Sequence, residues 1–306
     1  MFDGFIMLVN HISSNNGFMG YGFGYGFFDP TMLIIIPAMI FALYAQSKVS
    51  TTFSKYSNVH SRRGYTGADV ARQLLLASGI TDVSVERISG HLTDHYDPTH
   101  KVLRLSDSVY NATSIAALGV AAHETGHAIQ HKEGYFPLTF RTAIFPIVNI
   151  GSKLSMPLIV IGLLFGFWSG SNLLLLIGII MFALVVFFQI VTLPVEFNAS
   201  SRALRLLSDY NYLSPDEIQP ARKVLSAAAM TYVAAAAVAI SNLLRFLLIF
   251  NRRRDWQIKI KIWWSLNVVS SSTDLKKCYS NLLWKNWSGY FEYSCWSWLW
   301  CSQVDR

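Results

Sequence analysis

The sequence predicts a mostly α-helical integral membrane protein with three to four transmembrane helices and a small α+β domain. Its 306 residues are 52% hydrophobic and only 14% charged, and the mean hydropathy is +0.35. A soluble domain usually has about 25% charged residues. Long apolar runs recur along the chain. A charged segment with strand-like and helical patterns follows the first of them.

The apolar runs predict the membrane helices. Residues 27–47 form the first candidate, and residues 143–193 form a hairpin of two candidates whose second arm contains Gln189 as its one strongly polar side chain. About 20 apolar residues span the hydrocarbon core of a bilayer. Residues 227–250 are long enough for a fourth span but contain Arg245, so an amphipathic helix packed against the others is the alternative.

The segment at residues 48–142 predicts the α+β domain. Thr66 and Asp69 have the spacing of a capping box at the start of a helix. Residues 81–88 and 101–105 are typical of strands. We expect this domain, with a second segment at residues 194–226, to carry the chemistry.

The distribution of positive charge predicts the orientation. Residues 48–142 hold ten Lys and Arg and residues 194–226 hold four, whereas the turn of the hairpin and residues 1–26 hold none. Short cytoplasmic segments are enriched in Lys and Arg. The α+β domain is therefore expected to face the cytoplasm. A true fourth span would place the arginines at 252–254 outside, against this rule.

The two ends of the chain do not follow the pattern of the body. Residues 1–26 predict a low-complexity leader. Residues 251–306 contain eight of the nine tryptophans and all three cysteines, without a helical or strand period. Our hypothesis is a frameshifted or readthrough tail, and an aromatic segment at the membrane interface is the alternative.

The excess of basic charge also lies at the C-terminal end. Residues 1–250 hold 16 Lys and Arg against 14 Asp and Glu, whereas residues 251–306 hold nine against four. The body of the chain is thus close to neutral, and we predict no nucleic-acid partner.

The chemistry is indicated by an HExxH motif at residues 123–127. Its Ala-rich surroundings predict a helix, on which His123 and His127 are one turn apart and can bind one Zn²⁺. Glu124 can then act as a general base toward a zinc-activated water, as in zinc peptidases. Two surface histidines on a helix are the alternative.

A catalytic zinc site needs a third protein ligand. His131 lies one turn beyond His127, and Glu133 occupies the position that is a histidine in metzincins. Glu196 is the stronger candidate, because it follows the returning membrane hairpin on the same side as the motif. It also begins a predicted helix, on which Asn198 could form the second shell.

A second polar cluster lies in the α+β domain. It contains His91, Asp94, His95 and Tyr96, which could form another metal site or, as we favour, an edge strand beside the substrate. His95 or Tyr96 could stabilise the oxyanion. Arg202, near Glu196, is a further candidate for substrate contact.

Four stretches together make a resemblance to a known family. The chain resembles the bacterial YugP-like membrane zinc metallopeptidases and, more distantly, the HtpX-type membrane gluzincins. The HtpX type has an aspartate four residues after the ligand glutamate, where this chain has Ser200. The stretches are FDPT at 28–31, GHLTDHYDP at 90–98, VAAHETGHAIQH at 120–131 and LPVEFNAS at 193–200.

The resemblance implies a zincin-like catalytic domain with His123, His127 and Glu196 as zinc ligands and Glu124 as general base. It implies a multi-pass protein of the bacterial cell membrane that cleaves protein or peptide substrates, including membrane proteins. A membrane metal transporter and a non-catalytic zinc-binding scaffold are the rival interpretations. A scaffold has no need of Glu124, and a transporter would need HExxH inside the bilayer.

Overall fold

The computed structural model describes residues 30–169 and 172–269. The predicted leader and residues 270–306 of the predicted tail lie outside the described residues. The chain divides into two compact units after Asn251, and the site discussed below lies in the first. The elements are a 3₁₀ turn (Pro30–Ile34), α1 (Ile35–Ser57), α2 (Gly67–Ala77), β1 (Ser84–Ile88), β2 (His95–Asp97), β3 (Val102–Ser106), α3 (Asp107–Tyr110), α4 (Ile115–Lys132), α5 (Phe136–Ser169), α6 (Leu173–Asp209) and α7 (Pro215–Val269).

The predicted fold class is confirmed. The described residues contain four helices long and apolar enough to cross a membrane, and one three-stranded sheet. The four apolar segments are Thr31–Ser57, Phe136–Phe165, Leu173–Asp209 and Pro215–Arg254. Many of their large apolar side chains are exposed, which is stable in lipid and unfavourable in water.

The sheet has the strand order β1-β3-β2. Strand β3 pairs with β1 in parallel and with β2 in antiparallel register, so β2 is an edge strand. The turn between β2 and β3 is closed by Asp97, whose Oδ1 accepts hydrogen bonds from the main-chain nitrogens of Thr99 and His100 at 2.9 and 3.2 Å.

Helix α4, which carries HExxH, is the centre of the α+β domain. The Ser114 side chain caps its first turn by accepting a hydrogen bond from the main-chain nitrogen of Ala117 at 3.2 Å. Almost every residue from Ile115 to Gln130 is buried. The alanines of α4 let α2, the sheet, α6 and α7 pack closely around it, so the two histidines lie in the interior.

Helices α4 and α6 touch at Gly126. A Cβ atom on this glycine would lie 2.9 Å from the main-chain oxygen of Ala199 and 3.3 Å from its Cα. A larger residue would therefore push the helices apart, because both contacts are to backbone atoms. The glycine inside the motif is what allows α6 to approach the histidines.

Helix α6 differs from the sequence-based expectation of a new helix at residue 194. It continues without a break from Leu173 to Asp209, with Pro194 inside. A proline removes one main-chain hydrogen bond, and neighbouring helices can compensate for this in membrane segments. The apolar segment and Glu196 therefore belong to one rigid element.

Candidate metal centre

Two histidines of α4 and one glutamate of α6 bring their metal-binding atoms together. The ligand atoms of His123, His127 and Glu196 all lie within 4.8 Å of one another. Glu196 Oε2 is 3.3 Å from His123 Nε2 and 3.6 Å from His127 Nε2. A tetrahedral Zn²⁺ with bonds of about 2.0–2.1 Å separates its ligand atoms by about 3.3–3.5 Å. The spacing of these atoms fits that ion.

The tautomer of His127 is set by Gln130. The Gln130 amide nitrogen donates to the Val195 carbonyl oxygen and to Asn198 Oδ1, each at 2.9 Å. Its Oε1, which can only accept, lies 3.0 Å from His127 Nδ1. The proton of His127 is therefore on Nδ1, and Nε2 presents its lone pair to the Glu196 carboxylate.

This arrangement suits a bound cation. Glu196 Oε2 is buried and accepts no hydrogen bond from the residues that the structure describes. The lone pair of His127 Nε2 faces it at 3.6 Å. Two electron-rich atoms at this distance in a buried site repel each other unless a positive charge lies between them. The donor set thus fits a bound metal ion.

His123 is oriented by a hydroxyl group of α6. Its Nδ1 lies 3.1 Å from the Oγ of Ser200, one helical turn after Glu196. The ring of His123 packs edge-on against that of His127, with centroids 4.8 Å apart. The same helix therefore supplies one metal-binding carboxylate and the group that aims the first histidine.

The two oxygens of Glu196 have different partners. Oε1 lies 3.4 Å from Nη1 of Arg141, a buried residue near the start of α5. Tyr232 of α7 also hydrogen-bonds the Glu196 side chain. Because Arg141 holds one oxygen, the other is left directed at the two histidines.

Glu124 lies against the edge strand rather than among the metal-binding atoms. Its Oε2 accepts a hydrogen bond from the main-chain nitrogen of Tyr96, in β2, at 3.1 Å. Burial raises the pKa of this carboxyl to about 7, although the neighbouring His123 opposes the shift. A carboxyl group with a near-neutral pKa can both take up and release a proton during one turnover.

A small cavity joins the acid and the metal-binding atoms. It has a volume of about 20 Å³ and is lined by His123, Glu124, Glu196 and Tyr232, among others. A cavity of about 10–15 Å³ or more holds one water molecule. The structure thus provides room for one water in contact with both Glu124 and His123.

The predicted substrate-contacting residues of the α+β domain are dispersed. Asp94 is fully buried, and its carboxylate accepts from the main-chain nitrogen and the hydroxyl of Ser106 at 2.7 and 2.8 Å, which fits an anchor for the turn before β2. The ring of His91 packs edge-on against Phe53, with centroids 5.4 Å apart. His95 lies on the edge strand, where Nδ1 is 2.9 Å from the Thr93 carbonyl oxygen.

The main chain and the side chain of Tyr96 have different partners. Its main-chain nitrogen contacts Glu124, whereas its hydroxyl lies 2.9 Å from Nδ1 of His131. The phenol is therefore directed to His131, which was one of the alternatives for the third ligand. Strand β2 thus lies beside Glu124, and the Tyr96 hydroxyl contacts His131.

Arg202 and Asn198 are linked to His127 through its partner Gln130. Arg202 donates from Nε to Asn198 Oδ1 at 2.7 Å and pairs with Glu133 at 2.6 Å. Asn198 in turn accepts from Gln130, the partner of His127. Asn198 is thus placed in a second layer, and Glu133 is engaged by Arg202 rather than by the histidines.

Comparison with known proteins identifies the family. A family model described as "Putative neutral zinc metallopeptidase" matches residues 31–251. The chain belongs to this family. The metallopeptidase is also 49% identical over 224 residues to the "Putative membrane protease YugP" of Bacillus subtilis (strain 168). The aligned residues cover 73% of this chain and 98% of that protein. No solved structure matches it.

These matches confirm several predictions. The resemblance stated from the four stretches is confirmed, as are the Zn²⁺ cofactor and the membrane protein class. Membership of a zinc metallopeptidase family implies protein or peptide substrates. The four apolar helices agree with the word "membrane" in the relative's name.

Three contributors to the site were missed by sequence reasoning. Gln130 had a usable signal, since a polar residue three positions after His127 lies on the same helix face. Arg141 had one too, because an ionisable residue in an apolar helix is a functional candidate. Tyr232 had none, since only the packing of α7 brings it to Glu196.

Replacing Gln130 with leucine is expected to lower the affinity of the metallopeptidase for zinc by about 10–100-fold. The change removes the acceptor that keeps the His127 proton on Nδ1. Competition with a chromophoric chelator at fixed pH measures the affinity. Gln219→Leu, on the exposed face of α7, is the matched control, and equal affinities in the two variants would exclude a role for Gln130 in orienting the ligand.

Proposed function

We propose that the metallopeptidase is a membrane-embedded zinc endopeptidase of the gluzincin type, with His123, His127 and Glu196 as ligands and Glu124 as general base. The observation that carries the proposal is the convergence of two imidazole Nε2 atoms and one carboxylate oxygen beside a one-water cavity. The buried Glu124 lines the same cavity. This combination supports hydrolysis rather than a structural metal site, which has no need of a base.

The chemistry divides between the metal and the protein. When bound, Zn²⁺ supplies a Lewis acid that polarises the peptide carbonyl group and makes water more acidic. Glu124 takes a proton from the attacking water as the new C–O bond forms. It then passes this proton to the amide nitrogen as the C–N bond breaks. The Tyr96 main-chain nitrogen, 3.1 Å from Glu124 Oε2, holds the carboxylate in position.

The edge strand supports the placement of the substrate. Strand β2 contacts the general base directly through Tyr96, and its outer edge is not paired with another described strand. Extended peptides commonly add to such edges. We therefore propose that the substrate main chain lies along β2, next to Glu124.

Removal of zinc tests the proposed activity. The protein, purified in detergent, is expected to cleave a fluorogenic casein-derived peptide mixture, to lose this activity after treatment with a chelator, and to regain it on addition of stoichiometric Zn²⁺. Mg²⁺ added at the same concentration is the control, because it prefers oxygen ligands. Cleavage that persists in the zinc-free protein would contradict the proposal.

We also infer that the α+β domain faces the cytoplasm, which the distribution of Lys and Arg supports. A test uses a variant whose three cysteines are replaced by serine. Ser89→Cys, in an exposed loop of this domain, is expected to react with a membrane-impermeant maleimide only after the cells are permeabilised. Asn172→Cys, before α6, is expected to react in intact cells. The reverse labelling pattern would show that the α+β domain faces the outside.

A further inference from the structure

A groove between α6 and α7 lies next to the candidate metal centre. Its volume is about 350 Å³, within the range of about 300–1,000 Å³ that is usual for ligand sites. Three of its lining residues, Ser200, Leu225 and Ala229, also line the cavity that contains His123 and Glu124. A molecule in the groove would therefore lie beside the reacting groups.

The walls of the groove are two helix faces. Phe197, Ser201 and Leu204 lie along one face of α6, at helical spacing, and Met230 and Val233 extend the facing side of α7. From Phe197 to Leu204, the groove is roughly 10 Å long at about 1.5 Å per residue. That length accommodates about three residues of an extended peptide.

The chemistry of the walls favours a peptide with apolar side chains. Phe197 is 47% exposed although it is a large apolar residue, and most of the other walls are apolar. The hydroxyl groups of Ser200, Ser201 and Ser226 interrupt this surface, and Arg222 bounds it at the end nearest the connection to α7. An acyl chain cannot form hydrogen bonds with these polar groups, whereas the main chain of a peptide can.

The position of Ser200 connects the groove to the site. Its Oγ lies 3.1 Å from His123 Nδ1, and its side chain lines the groove as well as the cavity. A substrate residue in the groove is thus separated from the metal-binding histidine by a single side chain.

We propose that this groove is the specificity subsite of the enzyme and binds about three consecutive residues with large apolar side chains on one side of the scissile bond. The proposal rests on the proposed peptidase function and adds the substrate class. Segments of this kind are abundant in membrane proteins and in unfolded chains, where apolar residues are not buried.

The test fills the groove without touching the cavity. Ser201 is exposed on α6 and lines the groove but not the cavity. Ser201→Trp therefore places an indole in the groove. Ser208→Trp, exposed on the same helix and not a lining residue, is the matched control. Two fluorogenic peptides differ only in three residues after the scissile bond, which are leucine or alanine.

Wild-type protein and Ser208→Trp are expected to cleave the leucine peptide with a kcat/KM at least about 10-fold higher than the alanine peptide. Ser201→Trp is expected to lose this preference and to retain its zinc. Met230→Ala, which enlarges the groove, is expected to raise kcat/KM for a third peptide that has tryptophan at these three positions. A wild-type protein without preference, or a preference retained in Ser201→Trp, would overturn the proposal.

A binding measurement separates the failure of the groove from the failure of the peptidase function. In the Glu124→Gln background, the anisotropy of the labelled leucine peptide should show binding that Ser201→Trp weakens at least 10-fold. Such binding without any cleavage by the wild type would refute the peptidase and retain the groove. Cleavage of both peptides with equal kcat/KM would refute the groove and retain the peptidase. Binding that is unaffected by Ser201→Trp would overturn the assignment of the groove as the peptide site.

Discussion

Replacing Glu124 with glutamine is expected to lower kcat for peptide cleavage by about 10²–10⁴-fold while the zinc content stays unchanged. Glutamine has the size of glutamate, and its side-chain oxygen can still accept the hydrogen bond from the Tyr96 main-chain nitrogen. It cannot take up a proton from water. Glu124 is not among the three residues whose ligand atoms converge, so zinc binding does not depend on it.

The fold of this variant should be at least as stable as that of the metal-free wild type. Burial raises the pKa of Glu124 from its ordinary value to about 7. This carboxyl group therefore lowers the stability of the fold progressively as the pH rises from the ordinary pKa to about 7, and by a constant amount above that pH. A neutral amide removes this penalty. Zinc by mass spectrometry, the thermal midpoint and cleavage of a fluorogenic peptide are the three measurements. Cleavage at the wild-type rate would eliminate Glu124 as the base.

Replacing Glu196 with glutamine is expected to abolish stoichiometric zinc binding and, with it, cleavage. The carboxylate has two tasks, since Oε1 faces Arg141 and Oε2 faces the two histidines. An amide has one oxygen and one NH₂ group. If the amide oxygen faces the histidines, the NH₂ group faces the Arg141 guanidinium. If the oxygen faces Arg141, the NH₂ group faces the bound cation. Both contacts are repulsive.

The glutamine variant is preferable to alanine as a test. Alanine would remove the hydrogen-bond acceptor that faces the buried Arg141, whereas the glutamine oxygen can still accept from it. Removing one partner of a buried pair outright costs about 3–5 kcal/mol. Loss of zinc could then reflect unfolding. Glu133→Gln is the control, because Glu133 is the alternative carboxylate and is engaged by Arg202. Zinc retained in Glu196→Gln but lost in Glu133→Gln would transfer the third ligand to Glu133.

Features with short-range causes were predictable from the sequence. The capping box of Thr66 and Asp69 is present with both of its hydrogen bonds, at 3.1 and 3.2 Å. The helix around HExxH begins after Ser114, as its composition indicates. In each case the stabilising contacts join residues at most four positions apart, so the pattern of residue types contains the needed information.

Features that depend on the contact of distant helices were not predictable in the same way. The expected helix start at residue 194 is replaced by one continuous helix, since proline alone does not decide whether a packed helix ends. Asp94 was placed in a polar cluster by proximity in the chain, but its side chain is buried against Ser106. The direction of a side chain on a short, irregular segment depends on the contacts around it.

The sequence by itself determined the membrane class, the two histidines one turn apart and the short list of carboxylates that could complete the site. These follow from composition and from the helical period, which act locally. Only the tertiary structure decided that Glu196 meets both histidines, that Gln130 sets the tautomer of His127, and that Arg141 and Tyr232 hold the carboxylate. The physical reason is the close contact of α4 and α6 at Gly126, because it places atoms some 70 positions apart in the chain within ligand distance.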